Sequence, residues 1–69
     1  MKLKSILRKL EHGTLLSIWD SDADKCLAEG IYTSSTNSNF LQFGGKYVLS
    51  LNTSTPGYQL EIVVTEKEV

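Results

Sequence analysis

The chain has 69 residues, 41% of them hydrophobic and 22% charged, with a formal net charge of −1. This is ordinary globular composition, which excludes a disordered tail and leaves room for one small core supplying only about 3–5 kcal/mol. A single cysteine, Cys26, and a single histidine, His12, exclude an internal disulfide and a Cys/His zinc cluster, so a protein partner or a homodimer is expected to supplement the core.

Charge is unevenly distributed. Lys2, Lys4, Arg8 and Lys9 are four of the seven basic residues, and all eight acids lie from Glu11 onward. The spacing of Leu3, Ile6, Leu7 and Leu10 puts them on one face of a helix over 2–11, with the four cations outside that stripe. Gly13 follows as the residue able to end it in a left-handed conformation, and His12 is placed to cap the last carbonyls. A helix of this length is marginal alone and must be stabilised by a sheet under its apolar stripe.

Residues 14–20 form the first expected strand, with Leu16 and Ile18 on one face and Leu15, Ser17 and Trp19 on the other. The run Asp20-Ser21-Asp22-Ala23-Asp24-Lys25 has turn chemistry, since its side chains bond their own backbone. The second strand spans 26–33. Its inner face is either Leu27, Ile31 and Thr33 with Glu29, which we favour, or Cys26, Ala28 and Tyr32 with Gly30, and Gly30 marks a bulge or bend. Six polar residues at 34–39 read as the most mobile surface loop, and Phe40, Leu41 and Phe43 as either a short strand or one helical turn. Residues 46–52 alternate Tyr47, Leu49 and Leu51 against Val48 and Ser50. Residues 58–64 alternate Tyr58, Leu60, Ile62 and Val64 against Gln59, Glu61 and Val63. Pro56-Gly57 between them predicts an antiparallel hairpin, and 65–69 a frayed tail. The expected architecture is a single α+β domain over 1–69, an N-terminal amphipathic helix packed on a small, mainly antiparallel sheet of about four strands.

Few residues suggest chemistry. Asp20-x-Asp22-x-Asp24 matches the opening of a calcium-binding loop, but the sixth position is Lys25 where glycine is needed and the twelfth is Ile31 where a glutamate closes the shell. No metal or cofactor is expected. Cys26 lacks a second thiol and reads as a small buried apolar side chain. No serine or threonine sits in a nucleophile elbow and Gly44-Gly45 lacks the surroundings of a phosphate loop, so no catalytic residues are expected and the protein is read as a non-enzyme. The basic start is interrupted by Ser5, Arg8 and Lys9, unlike a secretory signal, and no apolar run approaches a membrane span; with one unpaired cysteine, the expected place is the cytoplasm.

The order Lys-Leu-Lys-Ser-Ile-Leu-Arg-Lys-Leu-Glu at 2–11, Gly13, the strand at 14–19, the acidic turn at 20–24 and Leu27-Ala28-Glu29-Gly30 resembles a group of very small phage and prophage proteins of Gram-positive bacteria. The later segments Tyr47-Val48-Leu49-Ser50-Leu51 and Leu60-Glu61-Ile62-Val63-Val64 are similar to how those chains end. The resemblance implies a host-directed binding protein and carries no activity or site residues; it departs at 34–39, where a more helical, acidic connection is usual.

The expected function is therefore a protein-binding module, with Leu15, Trp19 and Val63 left over on the second sheet face as contact residues. The alternative is a small nucleic-acid-binding domain in which Lys2, Lys4, Arg8 and Lys9 meet phosphates and Trp19, Tyr32, Phe40, Phe43, Tyr47 and Tyr58 offer stacking surfaces.

Overall fold

The computed structural model describes residues 1–54 and 56–68. Six elements follow one another: α1 (Leu3–Leu7), β1 (Thr14–Asp20), β2 (Lys25–Tyr32), α2 (Asn37–Leu41), β3 (Tyr47–Asn52) and β4 (Leu60–Thr65). The strands form one sheet in the order β2-β1-β4-β3. β1 pairs antiparallel with β2 and β3 antiparallel with β4, while the central pair β1–β4 is parallel. The sheet is therefore mixed, two hairpins joined along their inner strands. The expected hairpin across Pro56-Gly57 is present.

Both helices lie on one face of this sheet. Leu3 and Leu7 of α1 and Phe40 of α2 are buried in one cluster with Leu16, Ile18, Tyr32, Ile62 and Val64. The first helix is half the expected length. After Leu7 its hydrogen bonds tighten, Lys9 to Ile6 at 3.0 Å and Leu10 to Leu7 at 3.3 Å, an i→i−3 pattern that ends an α-helix. Its start is also poorly favoured, because Lys2 gives no side-chain cap and no acid occupies the first turn. Tertiary contacts compensate: the Leu3 and Lys4 amides donate to the carbonyls of Lys46 (2.8 Å) and Gly44 (3.1 Å). Ile6 and Leu10 still pack against the core, Leu10 from beyond the helix. His12 caps nothing; its ring meets Tyr32 edge-on at 5.8 Å. Gly13, with φ +100°, marks the start of β1 and donates to the Tyr32 carbonyl at 2.7 Å.

The middle of the chain differs most from expectation. The polar run at 34–39 is a hydroxyl-bonded turn over 34–36 followed by the start of α2. The Thr33 hydroxyl accepts the Ser35 and Thr36 amides at 3.2 and 3.3 Å, and the Thr36 hydroxyl accepts the Thr33 amide at 2.9 Å. Phe40 belongs to a helical turn and drives its ring against Tyr32, centroids 5.6 Å apart. In β2 the favoured face is reversed from Ala28 onward, while Leu27, at the bulge, packs against the core as expected. Ala28 and Gly30 lie opposite Ile18 and Leu16 on the helix-covered side, together with Tyr32, and Ile31 is 53% exposed on the other side. The bulge falls at Leu27, between the Ala28–Ile18 and Cys26–Trp19 pairs, and Gly30 keeps regular register with a φ of +131°. A second irregularity at Leu49 places Val48 and Leu51 on one face, opposite Val64 and Ile62, and breaks the expected Tyr47-Leu49-Leu51 alternation. The tail does not fray from 65. Thr65 is buried, its hydroxyl donating to Asp22, and Glu66 is paired with Lys46; Val69 lies outside the described residues.

Candidate functional site

Strand alternation leaves one face of the sheet without a helix over it. The register builds it in rows. Cys26, Trp19, Val63 and Ser50 lie side by side across the four strands; the next row is Glu29, Ser17, Glu61 and Asn52, and Ile31 stands beside Leu15 beyond that. Leu15, Trp19 and Val63, picked out from alternation alone, are thus brought together, Trp19 and Val63 as direct neighbours on the parallel pair. All three are half-buried, with Ile31 more exposed at the β2 edge. Sequence reasoning missed Ile31 because it was assigned to the core, and missed Glu29 and Glu61 because their common row exists only through the β1–β4 pairing.

The face is fastened at two ends. At one, the Tyr58 hydroxyl donates to the Glu29 carboxylate across β1, which raises the tyrosine pKa by holding the phenol proton. Gln59 clamps β1 beside it, its amide donating to the Leu15 carbonyl and its side-chain oxygen accepting the Leu15 amide, both at 2.9 Å. At the other end the Asp22 carboxylate accepts the Glu66 amide at 2.8 Å and the Thr65 hydroxyl at 2.9 Å. Those bonds, the Glu66 amide first, hold the Asp22 pKa below the usual aspartate range. Asp20 accepts the Asp22 and Ala23 amides at 2.9 and 3.4 Å, so of the three carboxylates in the calcium-like run one is spent on the turn itself and a second, that of Asp22, on the end of β4. Among the described residues no group of His, Cys, Asp and Glu is arranged to hold a metal ion.

Cys26 is exposed on the open face, not buried as expected. The Leu27 bulge turns it outward, with its sulfur 3.7 Å from the Ser17 hydroxyl. Ser17 itself is buried between Glu29 and Glu61. No cavity is found among the described residues.

Lys2, Lys4, Arg8 and Lys9 are all exposed on α1 and its flanks. Lys2 sits over the Tyr47 ring, 5.8 Å from its centroid, at the corner of the sheet. The aromatic set expected beside these cations is divided. Tyr32 and Phe40 are buried and Phe43 packs on the core, while Trp19 is on the face opposite α1. Among the described residues no helix is long and apolar enough to cross a membrane. Comparison with protein-family models, curated proteins and solved structures found no match to this chain.

Proposed function

We propose that this chain is a non-enzymatic protein-binding module of the cytoplasm that docks its partner on the open face of the sheet. The observation that carries this reading is the Trp19–Val63 pair at the centre of a face that neither helix covers, flanked by Leu15 and Ile31. A sheet that turns one face to water ordinarily places polar side chains there, and a large apolar cluster in that position has the composition of a contact surface, where tryptophan is a frequent anchor. In keeping with the resemblance to small phage proteins, the partner is a host protein.

A second reading, nucleic-acid binding, is favoured by the exposure of Lys2, Lys4, Arg8 and Lys9 along one short stretch. One experiment separates the two. The tagged chain is used to capture protein from bacterial lysate with and without nuclease, beside Trp19→Thr/Val63→Thr and Lys4→Gln/Arg8→Gln variants that keep the parent circular dichroism. A stoichiometric protein retained after nuclease by the parent and the basic-residue variant, and lost from the face variant, is the expected result. Loss on nuclease treatment or in the basic-residue variant moves the function to nucleic acid, and capture indifferent to the face variant removes the docking reading.

A further inference from the structure

Beyond the docking face, we infer that the chain pairs with a second copy of itself along the free edge of β3, Leu49–Asn52 lying antiparallel to the same residues of the other copy, so that two four-stranded sheets become one. The strand order leaves β2 and β3 as the two edges, and they are built differently. Both are bulged, at Leu27 and at Leu49, but only β2 carries charges, Lys25 and Glu29, of the kind that keep an edge from pairing. β3 holds no charged residue and no proline. Its first half is sheltered, because the Met1 carbonyl accepts the Val48 amide at 2.9 Å and Lys2 bridges to Tyr47. Its second half is not. Ser50, Leu51 and Asn52 keep regular register with Val63, Ile62 and Glu61, and among the described residues no strand lies on their other side. All of Leu49–Asn52 is exposed, the two leucines at 46% and 54%. Together with Met1 they are three of the five exposed large apolar side chains among the described residues, gathered at one edge.

The charges favour a second copy as the occupant. A strand without charged residues meets no like-charge contact when it pairs with itself, and a two-fold axis through the pairing sets leucines of one copy beside leucines of the other. The charges around the edge stand clear of it. Lys2 and Lys46 flank Tyr47 at the sheltered end, Lys2 over its ring and Lys46 paired with Glu66. Glu61 lies one strand further in, opposite Asn52. The two copies' Glu61 residues are therefore held at least three strand spacings apart, about 14 Å, beyond the screening length of about 8 Å. The axis of an antiparallel edge pair is perpendicular to the sheet, so Trp19 and Val63 of both copies stay uncovered on the same side.

The test is sedimentation equilibrium of the full chain from about 10 μM to about 1 mM, the range in which so small an interface dissociates. Three variants that keep the parent circular dichroism accompany it: Leu51→Lys, Leu51→Glu and, on the other edge, Ile31→Lys. The expected result is a monomer–dimer equilibrium in the parent and in Ile31→Lys, weakened at least about tenfold in each Leu51 variant alone and restored as a one-to-one dimer when the two Leu51 variants are mixed. A parent that stays monomeric throughout overturns the inference, as does association indifferent to charge at position 51, a mixture that stays monomeric, or growth beyond a dimer. Dispersal by Ile31→Lys moves the pairing to the β2 edge, and dispersal by Trp19→Thr/Val63→Thr moves the second copy to the open face; either result overturns it too. The docking reading is scored separately, by capture from lysate, in which Leu51→Lys should behave as the parent.

Discussion

Replacing Phe40 tests the core where it was least expected. The ring is buried, 1% exposed, and tilted against Tyr32, whereas its neighbour Leu41 is 38% exposed. Truncating a buried phenylalanine to alanine costs about 3–5 kcal/mol through lost transfer energy and the cavity left behind. A chain of 69 residues has a total stability of about 3–10 kcal/mol, so Phe40→Ala should sit at or near global unfolding in water. Leu41→Ala, on the outward side of the same turn, should cost no more than about 1 kcal/mol. Phe40→Leu supplies a graded measurement, because it keeps most of the apolar volume and loses the ring contact, worth about 0.5–1.5 kcal/mol. With a urea dependence of about 1 kcal/mol per molar for a chain this small, the midpoint should fall by about 0.5–1.5 M. Trp19, the only tryptophan, reports the transition by fluorescence. Equal costs for Phe40→Ala and Leu41→Ala, or an unmoved midpoint in Phe40→Leu, would refute the placement of α2 over Tyr32.

Two further perturbations probe the rest of the frame. Asp22→Asn should destabilise the protein at neutral pH, because the lowered carboxyl pKa reflects bonds to the Glu66 amide and Thr65 hydroxyl that favour the charged form. A folded-state pKa below the unfolded one gives stability present above the unfolded value, so the gap between parent and variant should close as the pH falls below about 4; a gap that is constant in denaturant melts down to strong acid would contradict this. Gly44→Ala should cost about 1–3 kcal/mol as overpacking, since a Cβ there would lie 3.0 Å from both the Leu41 carbonyl oxygen and the Lys4 Cβ, while Gly45→Ala meets nothing within 4 Å. Matching melting temperatures for these two variants would show that α1 does not press on that turn as described.

Short-range features were legible in the sequence for a physical reason: they depend on residues a few positions apart. The alternation of Leu60, Ile62 and Val64, the Pro56-Gly57 turn and the Asp-rich connection after β1 each encode a hairpin locally, and alternation alone picked out Leu15, Trp19 and Val63 as residues of one face. Where the period breaks, local pattern misleads. The bulges at Leu27 and Leu49 each shift alternation by one residue, which sent Ile31 and Cys26 to the wrong sides and split Tyr47 from Leu51. Phe40 could satisfy a strand or a helical turn equally well until Tyr32 stood beneath it. The parallel β1–β4 pairing joins segments more than forty positions apart, and nothing in either strand names the other; it forms because burying Leu16 and Ile18 beside Ile62 and Val64 under two short helices makes one core from two hairpins, each too small to hold together alone. That long-range choice also put Glu29 and Glu61 on either side of Ser17, so the composition of individual strands came from the sequence, and the surface they present together came only from the tertiary structure.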